Sequence, residues 1–305
     1  MKKITLTVLV VGLNITTIFS QIPSYIPSNG LIGWWPFNGN ANNEAGNGLD
    51  GTIYGSTLTS DRFGVSNKAY SFDGIDDYID FGDSSIIDFG NSDFTVCFWV
   101  NRQTSNGPFD YDNSFAFGKW DHGDATLGEN EFATAISYDD SSGFNKFQFA
   151  TNIGTNPISV CRSNDTVTLN NWYFLLAQRN GDSITTFVNG IIQNTIFIGS
   201  GVLNNAGRTL LMGTYYPFNP LHQTPWNFTN ALFDDAAIWN RALTQQEITD
   251  LFNSGTSGIP TLTGEPKKLV KILDINGREI ERCKNTLMLF QYSDGSIEKV
   301  YEMEY

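Results

Sequence analysis

Trp172-Tyr173-Phe174-Leu175-Leu176-Ala177-Gln178-Arg179-Asn180-Gly181-Asp182-Ser183-Ile184-Thr185-Thr186-Phe187-Val188-Asn189-Gly190-Ile191-Ile192 is the stretch that decides the fold class. Its aromatic and β-branched runs are cut twice by Asn-Gly, the dipeptide that tolerates the two positive φ angles of a type I′ hairpin turn, so it predicts a three-stranded meander. Upstream, Phe94-Thr95-Val96-Cys97-Phe98-Trp99-Val100 is an apolar run with the length of a buried strand. From Leu31 to about Phe233 similar runs alternate with Gly, Asn and Asp clusters, which predicts an all-β sandwich or barrel. One helix is expected at the end of this region. Thr244-Gln245-Gln246-Glu247 is a capping box, Ile248, Leu251 and Phe252 form an apolar stripe, and Gly255 supplies a stop.

The chain has 305 residues, 40% of them hydrophobic and 14% aromatic, which is enough for a sizeable core and excludes general disorder. A net charge of −14 excludes the basic footprint of a nucleic-acid ligand and disfavours an anionic membrane surface. Between Gln21 and Gly264 the acidic residues are aspartates, apart from Glu44, Glu129, Glu131 and Glu247. Asp, Asn and Gly serve turns and oxygen-rich cation sites rather than helices.

Met1-Lys2-Lys3 and the apolar stretch Ile4 to Phe19, closed by Ser20, have the pattern of a secretory signal peptide over residues 1–20, with an uncleaved anchor as the alternative. No other stretch has the length and apolarity of a transmembrane span. In an oxidising compartment Cys97, Cys161 and Cys283 allow at most one disulfide. Cys97 reads as a buried thiol within a strand, and a Cys97–Cys161 bridge stays open. Residues 255–265 are rich in Gly, Ser, Thr and Pro and read as a linker between a domain at 30–254 and a segment at 266–305. From Glu265 onward the charge nearly balances, with seven basic residues against eight acidic ones. Leu269 to Asp274, Asn276-Gly277, Leu287 to Tyr292, Asp294-Gly295 and Ile297 to Tyr301 alternate strand and turn signals, which predicts a small β module.

Several motifs resemble, in order, the laminin-G-like branch of the concanavalin A-like lectin/glucanase superfamily. They are Gly30-Leu31-Ile32-Gly33-Trp34-Trp35-Pro36-Phe37-Asn38-Gly39, then Ala69-Tyr70-Ser71-Phe72-Asp73-Gly74-Ile75-Asp76-Asp77-Tyr78, then Phe94 to Val100, then the central meander, then Phe233-Asp234-Asp235-Ala236-Ala237-Ile238-Trp239-Asn240-Arg241. The resemblance covers residues 30–254 and implies a jelly-roll sandwich of two antiparallel sheets. It also implies a calcium ion tying the opening loop to the last strand, with Asp235 as a ligand and Asn38 and Asn43 as partners. Asn43 stands where relatives commonly have Asp, which lowers the expected affinity. For each of these residues ordinary turn chemistry is the alternative. Asp73, Asp76 and Asp77 read as a solvated turn or, less favourably, as a second cation site.

The segment 266–304 resembles a type IX secretion sorting domain, through Asp274-Ile275-Asn276-Gly277-Arg278 and Tyr292-Ser293-Asp294-Gly295-Ser296-Ile297-Glu298-Lys299. The resemblance implies recognition by outer-membrane export machinery and a secreted or cell-surface destination. An ordinary accessory β module is the alternative.

Catalysis of glycoside hydrolysis needs two carboxylates across the scissile bond, and in related glucanases a Glu-x-Asp-x-(x)-Glu strand supplies them. No such strand is present. Glu129-Asn130-Glu131 is expected to be solvated surface. His122 and His222 carry no metal or triad spacing. A non-catalytic module binding carbohydrate or mediating adhesion is therefore the leading expectation. A glycoside hydrolase with an unrecognised site, a protein ligand and a purely structural surface role remain as alternatives. Sugars stack on aromatic faces, so the candidates are loop aromatics: Trp120 within Phe117 to Glu131, and Tyr215, Tyr216, Trp226 and Asn227 within Thr214 to Asn230.

Overall fold

A computed structural model describes residues 22–104, 114–120, 131–137, 145–154, 158–204, 207–215, 228–254, 269–274, 277–292 and 297–301. The chain divides into two compact units, Met1–Gly255 and Thr256–Tyr305. In the first unit the strands are β1 Leu31–Trp35, β2 Thr52–Tyr54, β3 Thr57–Thr59, β4 Ala69–Asp73, β5 Tyr78–Asp80, β6 Phe94–Arg102, β7 Ser114–Lys119 and β8 Phe132–Ser137. They continue with β9 Lys146–Thr151, β10 Ser159–Thr166, β11 Trp172–Asn180, β12 Ser183–Val188, β13 Ile191–Phe197, β14 Leu211–Met212 and β15 Asn230–Trp239, before helix α1 Gln245–Ser254.

These strands form two antiparallel sheets, as the jelly-roll expectation requires. The first runs β13-β12-β11-β6-β15-β4-β3, with β1 also paired to β15; the second runs β10-β9-β8-β7-β14-β5-β2. The centre of the first sheet is β15. Its start pairs with β4 and its end with β1, while its other side pairs with β6 through a bulge between Asp234 and Ala237.

Alternation along the strands builds the core. Phe94, Val96, Phe98 and Val100 of β6 meet Phe117, Phe132, Phe147 and Phe149 from the facing sheet, and Trp35 packs on Phe81 at 4.7 Å between ring centroids. The alternate residues of β6, Cys97 and Trp99, face the other way into a second apolar layer with Trp34, Phe174, Phe187 and Trp239. Helix α1 covers that layer with Ile248 and Leu251, and Phe252 stacks on Trp99 at 5.8 Å. Its capping box forms as expected: the Glu247 N–H donates to Thr244 Oγ1 at 3.3 Å, and the Thr244 N–H donates to Glu247 Oε2 at 2.8 Å.

Two expectations change and one open alternative closes. The Asn189-Gly190 turn has both φ angles positive, as type I′ requires, but Asn180 pairs with Ser183, so the first turn is centred on Gly181-Asp182 with only Gly181 at positive φ. That is the pattern of a type II′ turn. Residues 22–29, expected to lie before the domain, belong to it: Ile26 is buried in the outer layer, and Trp239 Nε1 donates to the Pro27 carbonyl at 2.7 Å. Cys97 and Cys161 are both free and buried, Cys97 in the outer layer and Cys161 in the core between the sheets, so no bridge joins them.

The second unit is a three-stranded antiparallel sheet of β16 Leu269–Leu273, β17 Leu287–Tyr292 and β18 Ile297–Tyr301, in the order β16-β17-β18. Its first turn closes where Gly277, at φ 80°, donates to the Asp274 carbonyl at 3.0 Å and the Arg278 N–H donates to Asp274 Oδ1 at 2.9 Å. The expected leader, the 255–265 linker, Asn276 and Asp294-Gly295 lie outside the described residues. Among the described residues no helix is long and apolar enough to cross a membrane.

Candidate functional site

The outward face of the second sheet carries the candidate surface. Ala133 and Ala135 alternate with the core residues Phe132 and Ile136, and Gln148 and Ala150 alternate with Phe147 and Phe149; Ala133, Ala135 and Gln148 are buried, so this stretch of the face is covered. Two aromatic groups stand on it. Tyr78 alternates with Ile79 of the core, and Tyr54, directly opposite on β2, stacks flat against it at 4.3 Å with 5° between the planes. Phe228 lies 6.2 Å from Tyr78. Tyr54 is 43% exposed, while Tyr78 and Phe228 are half-buried.

The second group contains two of the predicted ligand residues. Trp120 and Tyr215 join Phe115 and Ala133 in a small cluster, with the Phe115 and Tyr215 rings 4.1 Å apart. Both predicted residues are buried, at 6% and 8% exposure, so their rings pack on the sheet rather than standing free above it. Tyr216, Trp226 and Asn227 lie outside the described residues, as do His122, His222 and Glu129. Reasoning from loops alone missed Tyr54 and Tyr78, which sit in the short strands β2 and β5. Their signal was the period-2 placement of Tyr78 next to Ile79.

Glu131 departs from its expected solvated position. It is 1% exposed, accepts the Phe89 N–H on Oε1 at 2.9 Å, and faces Lys119 Nζ at 3.3 Å through Oε2. Lys119 is itself fully buried and also donates to Asp83 at 3.1 Å and to Asp88. Burial pushes the Glu131 carboxyl up to about 7, against the pull of Lys119. The group pins the short 3-10 turn Ser85–Ile87 and its flanks to the ends of β7 and β8.

Asp73, Asp76 and Asp77 bring carboxylate oxygens within 4.8 Å of one another. Asp73 Oδ1 accepts the Ile75 N–H at 2.7 Å, and Asp77 Oδ2 accepts the Asp73 N–H at 2.9 Å, so turn bonds occupy this cluster. Asp73 and Asp76 are exposed and Asp77 is buried.

Two of the three residues expected to hold calcium, Asn43 and Asp235, are engaged otherwise. Asn43 Oδ1 accepts from the Trp34 N–H at 2.9 Å and the Ala45 N–H at 3.0 Å, and its Nδ2 donates to the Ile32 and Gly48 carbonyls at 3.3 and 2.6 Å. Every polar atom of that side chain is used to fold the opening loop. Asn38 is exposed. Asp235 Oδ2 accepts from Arg62 Nη2 at 2.6 Å, and Asp234 Oδ2 accepts from Arg62 Nη1. Burial first and Asp235 second push the Asp234 carboxyl up, against the pull of Arg62. A calcium ion takes six to eight oxygens. This donor set, with a guanidinium at the carboxylates and Asn43 fully committed, does not fit one.

A laminin G family model, described as the concanavalin A-like lectin/glucanases superfamily, matches residues 73–249. The chain belongs to the concanavalin A-like lectin/glucanase superfamily. No curated protein sequence matches it. Within this superfamily's fold, it is similar to domain 4 of AbnA, an extracellular arabinanase of Geobacillus stearothermophilus solved with arabinotriose, at TM-score 0.53 and 18% identity over 72% of this chain and 97% of that one. It is also similar to the binding domain of Paraclostridial mosquitocidal protein 1, at TM-score 0.55 and 15% identity over 76% of that chain. A third likeness is to Trypanosoma rangeli sialidase solved with sialic acid, at TM-score 0.52 and 16% identity, with 76% of this chain covering 34% of the sialidase. At these identities the likeness is one of fold alone, and the sialidase match spans about a third of that enzyme.

Proposed function

We propose that the first unit is a non-catalytic carbohydrate-binding module whose ligand lies on the outward face of the second sheet. The observation that carries this reading is the Tyr54–Tyr78 pair with Phe228 beside it, an accessible aromatic step at the β2 end of the sheet. Sugars present flat C–H surfaces to such rings. Trp120 and Tyr215 then support the neighbouring part of the face, and Tyr216, Trp226 and Asn227 are the further candidates. The bound arabinotriose and sialic acid of the two similar structures agree with a glycan ligand. Non-catalytic action is supported by the burial of Glu131, which at 1% exposure is closed off from a ligand on this face.

The reading includes export: a leader at residues 1–20 is removed, and the 266–305 unit addresses the protein to type IX machinery for secretion or surface attachment. A glycan array probed with the purified protein, with and without chelator, tests the module. Binding that Tyr78→Ala weakens at least tenfold supports it; no binding to any sugar rejects it. Turnover of a polysaccharide panel that Glu131→Gln abolishes would instead establish a hydrolase. Removal of residues 266–305, followed by accumulation inside the cell, tests the export reading.

A further inference from the structure

Asp234 and Asp235 are consecutive in β15, and in a regular strand their side chains would leave on opposite faces. The bulge between Asp234 and Ala237, with Asp235 at a left-handed φ of 41°, breaks that alternation. A non-glycine residue in this region costs about 1 kcal/mol or more. The result is that both carboxylates reach one guanidinium, Asp234 at Nη1 and Asp235 at Nη2.

Arg62 comes from the loop between β3 and β4, and only 7% of its side chain is exposed. Its guanidinium carbon lies 4.7 Å from the Trp99 ring centroid and 4.6 Å from that of Phe63. Stacking between rings while forking to two carboxylates suits a planar guanidinium with donors fixed in its plane. The surroundings add further negative charge, because Asp61 and Glu44 both act on Asp235. Two carboxylates on adjacent residues, Asp234 buried and Asp235 16% exposed, repel unless a cation lies between them, and here that cation is covalently part of the chain.

We propose that Arg62 is the built-in cation of this corner, standing where a divalent ion would otherwise join the opening segments to the last strand, so that the domain holds this corner without calcium. The strained bulge aims two carboxylates at one point, and Arg62 fills it. A metal ion and the guanidinium compete for the same oxygens.

The test is thermal melting of the purified protein in millimolar calcium and in excess EDTA. The expected result for the unaltered protein is the same midpoint in both. Arg62→Ala is expected to melt lower and to regain part of the loss on adding calcium, with a matching terbium luminescence signal sensitised by Trp99. Asp235→Asn added to Arg62→Ala should abolish both responses. A calcium-dependent midpoint in the unaltered protein overturns the proposal, and so does an Arg62→Ala protein that folds but ignores calcium. If Arg62→Ala does not fold, the triple variant Arg62→Met, Asp234→Asn, Asp235→Asn decides. Recovery of a folded protein supports charge balance as the role of Arg62, and failure to recover overturns it.

Discussion

The ammonium of Lys119 lies 3.3 Å from Oε2 of Glu131, and neither side chain reaches solvent. The contact is electrostatic rather than an aligned hydrogen bond, since Oε2 has no hydrogen-bond partner. Burial therefore outweighs Lys119, and the carboxyl rises from 4.5 to about 7. A raised acid favours folding most where it is protonated. Its contribution is complete below about pH 4.5 and is lost as pH climbs through 7. The loss is roughly 3 kcal/mol at one pKa unit per 1.4 kcal/mol. Glu131→Gln should flatten the melting midpoint between pH 5 and 8 (a range set by that shift), measured against the unaltered protein. An unchanged slope would remove Glu131 as its cause.

Tyr54 and Trp120 should separate binding from packing. Tyr54→Ala is expected to lower glycan affinity at least tenfold with little change in melting. Trp120→Ala removes a ring that is 6% exposed and should cost about 3–5 kcal/mol of stability. Calorimetric melting and titration with the bound glycan measure the two effects; equal destabilisation by both would mean that Tyr54 is also a packing residue.

Asn43 makes four bonds that fold the opening loop. Asn43→Ala should cost about 2–4 kcal/mol, because buried N–H and carbonyl groups lose their partners. Asn43→Asp should be nearly as damaging, since its second oxygen would face the Ile32 and Gly48 carbonyls. Chemical denaturation of both variants checks this, and an unaffected Asn43→Asp would show that the loop adapts.

Gly190 couples the meander to the helix. It has φ 77°, an added Cβ would lie 3.2 Å from Phe252 Cβ, and its carbonyl accepts from Gln245 Nε2 at 2.8 Å. Gly190→Ala should destabilise by about 1–3 kcal/mol, and hydrogen exchange should rise in α1. Exchange rising in β12 alone would place the strain in the turn.

Glu247 behaves oppositely to Glu131. Its hydrogen bonds to Arg241, at 2.9 and 2.6 Å, are the main cause holding its carboxyl down at about 2. A depressed acid contributes above pH 4.5 and loses that contribution as pH falls towards 2. Solvent exposure limits the amount to about 1 kcal/mol. Glu247→Gln should therefore lower the midpoint at pH 7 and leave it unchanged near pH 2, as acid-series melting would report.

Local signals carried the fold. Asn189-Gly190 needed two positive φ angles and the capping box at Thr244 needed only four residues, so both were legible; the Asn180-Gly181 turn slipped by one residue because register depends on the partner strand. The site was less legible. Glu131 looked solvated because its neighbours in sequence are polar, whereas Lys119, Phe89 and Asp88 bury it from elsewhere in the chain. Arg62 carried no motif at all, and its partners stand 172 and 173 residues away. Tyr54 and Tyr78 were passed over because strand aromatics usually face a core, and here β2 and β5 turn theirs outward.

The position of β15 has a kinetic consequence. This strand, Asn230–Trp239, is the only one that joins β6 to both β4 and β1 among the described pairings. A growing chain therefore holds β1, β3 and β4 apart from the meander until some 240 residues exist, and the sandwich closes through contacts of very long sequence separation. Such closure is slow and leaves strand edges open meanwhile.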